Sequence, residues 1–288
     1  MPLMPRPRRL PILVALVLAA CSPVVNGTAT STTVTTVVDD ASTTTATTVP
    51  AIVEEPPCAS GSEPYVESGG AGLIERDNSD ADVVAGIRWT SFPVCDRIVI
   101  EFAASSGAPA VSPPSVGPLF IRSAGVLRIQ LDPVVSRTSI LDQVIDGTLA
   151  KSAYVVRRTT NDLFIDLHLS APASVRVSVA SSPARVVVDL LAGGEPYSAP
   201  AIVTDDLVVV DPVGGNVIYP FTVNGYLRGG EDTMTVTVEA AGVLESRTGD
   251  VGQRGDAWGA FTVLIPDGPK GLGSILIGDR IPLTVDLS

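Results

Sequence analysis

The chain has 288 residues, enough for about two domains. Charged residues make up 17% and aromatics 5%, and Val, Thr, Ala, Gly and Pro dominate, which favours half-buried strands and turns over helices. The formal charge of -12 excludes binding of nucleic acid or anionic lipid through bulk charge.

The first element is a leader. Arg6, Arg8 and Arg9 precede the apolar run Leu10 to Ala20, which is too short to span a bilayer and suits the core of a signal peptide. The run ends Leu18-Ala19-Ala20-Cys21, which resembles the bacterial lipobox. That resemblance implies cleavage after residue 20 and a lipid on Cys21. The chain is then expected outside the cytoplasm, held on the outer face of the cell membrane by more than one acyl chain. Residues 21–61 follow as a tether rich in Thr, Ser, Ala and Pro. Such a run buries too little surface to offset chain entropy, so a solvated spacer is expected there. O-glycosylation of its threonines is a further option.

With Cys21 lipidated, Cys58 and Cys95 remain as an even pair in an exported chain, and a disulfide is expected. Residues 62–193 read as a first β-sandwich. Its runs include Arg97 to Ala103, Val126 to Leu131, Ala153 to Arg158, Leu163 to Leu169, Ser174 to Val179 and Ala184 to Leu191. In Leu163 to Leu169 the leucines and Ile165 share one face, while Asp166 and His168 share the other, which is expected to meet solvent. Asn161-Asp162 suits a hairpin turn, and Ser139 to Ile145 is the one short helical candidate. Residues 203–288 read as a second sandwich of six or seven strands, among them the strictly alternating Met234 to Glu239. The fold class expected is all-β, two β-sandwiches behind a leader and a tether.

Two resemblances refine this. Cys95-Asp96-Arg97-Ile98-Val99-Ile100-Glu101-Phe102, the closing Ala184-Arg185-Val186-Val187-Val188-Asp189-Leu190 and the approach through Arg88-Trp89-Thr90 resemble the AMIN-like domain of actinobacterial lipoproteins. The likeness covers most of residues 83–192. It implies a sandwich that targets peptidoglycan or another envelope component, with Arg88, Trp89, Asp96, Arg97 and Arg185 as candidate contacts. No amidase or secretin segment follows in this sequence, so the targeting role rests on the resemblance alone. The residues themselves also allow a plainer reading, in which Asp96 with Arg97, and Arg185 with Asp189, form surface ion pairs that set strand register. In the second sandwich, Asp211-Pro212-Val213-Gly214-Gly215-Asn216-Val217 and Pro220-Phe221-Thr222-Val223-Asn224-Gly225 resemble the immunoglobulin-like domain of bacterial spore germination proteins. Arg228-Gly229-Gly230-Glu231 stands near where that family has an aromatic-acidic pair, a departure that touches any shared ligand more than the fold. Trp258 is a candidate contact there, with core packing as its simpler role.

Catalytic patterns are sparse. His168 is the sole histidine, and there is no nucleophile elbow, zinc-protease helix or phosphate loop. Asp77, Asp80 and Asp82 lack the spacing of a calcium loop, and two Cys with one distant His do not make a zinc shell. Neither cofactor nor metal is expected. A glycosidase needs only two carboxylates, and Glu101, Asp166 and Asp189 are the remote candidates. The reading is a non-catalytic envelope lipoprotein. Its expected partners are the membrane through Cys21, and peptidoglycan or an envelope glycan. The alternative is a scaffold that meets other envelope proteins through sheet edges.

Overall fold

In the computed structural model, residues 58, 64–67, 72–131, 134–229, 232–252 and 255–288 are described. The leader, Cys21 and all of the tether but Cys58 lie outside these residues. Nineteen strands form, and no helix is present among the described residues. In chain order they are β1 Val83–Ser91, β2 Cys95–Ala103, β3 Val116–Ile121, β4 Val126–Leu131, β5 Arg137–Thr138, β6 Asp142–Val144, β7 Ala150–Thr159, β8 Asp162–Leu169, β9 Ala173–Ala180 and β10 Arg185–Ala192. There follow β11 Ile202–Val203, β12 Leu207–Asp211, β13 Gly215–Val217, β14 Phe221–Leu227, β15 Thr233–Ala240, β16 Val243–Asp250, β17 Trp258–Ile265, β18 Gly271–Ile277 and β19 Ile281–Leu287.

Alternating apolar residues build two cores. A five-stranded sheet in the order β5-β1-β2-β10-β9 places Ile98, Ile100, Val186 and Val188 against Leu127 and Ile129 of β4 and Leu163, Ile165 and Leu167 of β8. A second five-stranded sheet, β13-β19-β18-β15-β16, places Val236, Val238, Ile275 and Val285 against Val209, Val223, Phe261 and Val263. The all-β double sandwich expected from the sequence is therefore present.

The two sandwiches share a sheet. Strands β12, β14 and β17 continue into β7, β8, β4 and β3 within one nine-stranded sheet. The junction is a short parallel pairing of β17 with β7, at Trp258 opposite Val156 and Gly259 opposite Arg157. One face of this sheet feeds both cores. The other face should then meet water, yet Val126, Tyr154, Val156 and Phe164 from one half are buried in a single cluster with Val208, Val210, Tyr226 and Trp258 from the other. The sheet bends back on itself, so that its two halves pack face to face along a seam. The described residues accordingly cluster as one unit.

Three local features differ from or refine the expectations. Ser139 to Ile145 is not helical. Its centre is β6, paired with β7, with further backbone bonds from Val155 N to Leu141 O and from Ile145 N to Lys151 O. Seven residues cannot offset the cost of helix nucleation, whereas the free edge of β7 supplies ready partners. Asn161 and the start of β8 do form the turn between β7 and β8. The disulfide joins Cys58 to Cys95 with the Cα atoms 6.1 Å apart. It contributes a few kcal/mol by restricting the unfolded chain. Beyond Cys58, Tyr65 lies 4.8 Å over the Arg176 guanidinium and Val66 bridges to Val175, which fastens this segment to the edge of β9.

Candidate functional site

The residues singled out in the sequence scatter. Consecutive strand residues face opposite ways, so Arg88 is exposed on the outside of its sheet while Trp89 turns inward and packs against the first core. Arg88 pairs with Glu101 at 3.0 Å. Asp96 does not pair with Arg97. It is fully buried and accepts backbone bonds from Thr148, Leu149 and Ala150 at 3.1, 2.6 and 2.9 Å. Arg97 instead bonds Asp189, directly opposite on β10, at 2.7 and 2.9 Å. Arg176 of β9 reaches the same carboxylate at 2.8 Å. The expected pair of Arg185 with Asp189 is thus replaced as well, because direct cross-strand neighbours meet while residues four apart along one strand do not. Arg185 keeps its Nε buried, without a hydrogen-bond partner among the described residues. Trp258 is buried in the seam, and its indole N–H donates to Asp142 at 3.0 Å.

His168 corrects an expectation. It does not face solvent: only 6% of it is exposed, because the bent sheet brings β14 over β8. Burial, with Lys151 adding to it, pulls its pKa down to about 3. Burial also holds the Tyr226 hydroxyl far above its usual range. Nε2 of the neutral His168 and the protonated Tyr226 hydroxyl therefore share a hydrogen bond inside the seam. Tyr154 stands 4.7 Å from the imidazole and edge-on to Trp258 at 5.3 Å, completing an aromatic plug.

Where the seam opens, the two halves of the sheet diverge into a cleft of about 520 Å³. Its first wall starts from Arg128, opposite Asp166 in the β4–β8 ladder and bound to it through two bonds of 2.8 Å. Asp166 has no solvent exposure, and burial holds its carboxyl above the usual range against the pull of Arg128. The Arg128 guanidinium lies 3.9 Å over the Phe164 ring, and that of Arg158 stands 5.4 Å from the same ring. The facing wall is a polar row across β14 and β17. The Thr262 hydroxyl donates to Asn224 Oδ1 at 2.8 Å, and the Asn224 amide donates to Thr222 at 3.0 Å. Asp250, Val251 and Gly252 close the end. Gly252 is required there, since a Cβ would sit 2.3 Å from the Arg157 carbonyl oxygen.

The cleft presents guanidinium, amide, hydroxyl and carboxylate groups suited to hydroxyl- or amide-rich ligands. Among its described lining residues Asp250 is the single carboxylate, while Asp166 is sealed beneath Arg128. Glu101, Asp166 and Asp189 do not converge, because Glu101 and Asp189 belong to the outer sheet of the first sandwich. The acidic run is also dispersed. Asp80 accepts from the backbone of Val111 and Ser112, which holds its pKa down, and Asp82 bonds Ser136 and Arg137. None of the six candidate contact residues lines the cleft. Sequence reasoning missed Arg128, Arg158, Asn224 and Thr262. Their only advance signal was that Arg128, Asn224 and Thr262 each interrupt or alternate with apolar strand residues.

No family model matches this chain, and neither the curated proteins nor the solved structures contain a match.

Proposed function

We propose that this protein is a non-catalytic lipoprotein, anchored by lipid on Cys21 to the outer face of the cell membrane, that binds peptidoglycan or a related envelope glycan in the cleft between its sandwiches. The cleft carries the reading. Guanidinium, amide, hydroxyl and carboxylate groups converge there on a concave surface, without a nucleophile–base pair among the described residues that line it. The lipobox-like leader and the AMIN-like and immunoglobulin-like resemblances support an envelope role, and the Thr-rich tether suits a spacer between lipid and wall.

The test is retention of the full chain on purified cell wall, compared with the doubly substituted Arg158→Ala/Asn224→Ala protein. Each lost polar contact is worth about 1 kcal/mol, so the double variant should bind about thirtyfold less tightly. An unaltered chain that the wall does not retain defeats the glycan reading. Equal retention of both proteins removes the cleft as its site. Mass spectrometry of the exported N-terminus checks the anchor, which an unmodified Cys21 would overturn.

A further inference from the structure

The sheet β13-β19-β18-β15-β16 turns one face to the second core and the other outward. Side chains alternate along a strand and cross-strand partners share a face, so the register gives the outward set. Its middle row holds Leu276, Thr237 and Ser246. Toward one end stand Glu239 and Leu244, then Leu272 and Asp286. Toward the other end stand Thr235 and Thr248. All are exposed or half-buried, and Leu244 and Leu272 are 66% and 77% exposed.

This face differs from the outer sheet of the first sandwich, which carries Arg88, Arg97, Glu101 and Arg185. Here only Glu239 and Asp286 of the residues just named are charged. Arg280, in the turn before β19, bonds Asp206. The hydroxyls pair across the strands, Thr237 with Ser246 at 2.8 Å and Thr235 with Thr248 at 3.2 Å. Hydroxyls that already have partners cost less to take out of water. Exposed leucines among paired hydroxyls suit the face of another sheet.

We propose that a second copy of this chain packs here, sheet on sheet, in an isologous dimer. Area and charge carry the choice of occupant. Four strands about 4.8 Å apart, each of about seven residues at about 3.4 Å, give a face of about 450 Å². Two opposed faces bury roughly 900 Å², the range of a weak, reversible dimer and not of an obligate one. A two-fold axis across the strands at the level of Leu276 lays each strand over itself in the opposite direction. Leu276 and Ser246 then face their own copies, Leu244 meets the Thr248 methyl, and Glu239 meets the Thr235 hydroxyl instead of a second carboxylate. None of these residues lines the glycan cleft, so either surface can fail without the other.

The experiment is sedimentation equilibrium of the full chain in density-matched detergent, with micelles in excess. The mass should rise from one chain to two across the micromolar range. Ser246 is exposed and would face its own copy. Ser246→Lys therefore sets two cations together and should weaken association about a hundredfold or more. Ser246→Glu should do the same, and a mixture of the two variant proteins should recover the doubled mass, because opposite charges then meet. A short bismaleimide should link two chains of the Leu276→Cys protein, and should not link chains of the Thr90→Cys protein, whose change lies on the exposed outer sheet of the first sandwich. A mass of one chain throughout that range overturns the proposal. So does a doubled mass that Ser246→Lys leaves intact, which would place the contact elsewhere or in a shared micelle. Failure of the mixed variants to associate equally overturns it, as does protection of this face from hydrogen exchange only when purified cell wall is added, since the wall is then the occupant.

Discussion

Asp96 shows how one side chain organises a turn. Its carboxylate gathers three consecutive backbone N–H groups, and the backbone passes so close that a Cβ at Gly147 would sit 2.5 Å from Asp96 Oδ2. The stretch leading into β7 is therefore built around this carboxylate. Asp96→Asn places an amide among donors and loses the charge assistance of those bonds. The expected loss is about 2–3 kcal/mol in urea unfolding, and a variant within about 0.5 kcal/mol of the parent would refute this role. The sequence marked Asp96 as notable, either as a candidate contact or as half of a surface ion pair with Arg97. A carboxylate that opens a strand reads the same whether it meets a ligand or a distant turn. Only the return of residues 148–150 to the start of β2 separates the two.

At the scale of elements, the informative strand is β8. Its alternation of Leu163, Ile165 and Leu167 with Phe164, Asp166 and His168 describes a half-buried strand, and the polar face was assigned to water for that reason. Both faces are buried, because β14 lies over the second one. The polar residues tolerate this by pairing, Asp166 with Arg128 and His168 with Tyr226. A consequence follows for pH. His168 titrates at about 3 in the folded protein and near 6.5 when unfolded. Between those values the unfolded chain binds the additional proton, so stability falls as pH drops from about 6.5 toward 3, by up to about 5 kcal/mol. Asp166, with its raised pKa, acts in the opposite sense, but it is common to parent and variant and cancels in the comparison. His168→Gln should accordingly show a flatter decline of unfolding free energy with acidification. Parallel pH profiles for the two proteins would show that the buried imidazole is not the source.

At the scale of the molecule, two sandwiches that share a sheet should unfold together. The seam holds Tyr154, Tyr226 and Trp258, and Arg157 ties β7 to Asp256 at 2.6 Å just ahead of β17. Trp89 reports on the first core and Trp258 on the seam, while far-ultraviolet circular dichroism follows both halves. One coincident denaturant transition is expected. Tyr226→Ala should shift it as a whole by about 3–5 kcal/mol, the usual cost of truncating a buried aromatic. Two separated transitions in the parent protein would mean that the shared sheet does not couple the halves.

Strand alternation, Gly and Pro punctuation and cysteine parity determined a good deal in advance: the all-β class, the two sandwiches, the β7–β8 turn and the Cys58–Cys95 bond. These are local properties, or counts, and each residue carries them wherever the chain goes. The partners of Asp96, Arg97 and Asp189, the burial of His168, the strand at Asp142–Val144 and the cleft were decided by tertiary structure. All of them depend on which strands become neighbours and on how the long sheet bends, and that choice is made by many apolar contacts far apart in sequence. An alternating strand looks alike whether its second face meets water or another sheet, so the seam and its cleft become visible only when the two halves close on each other.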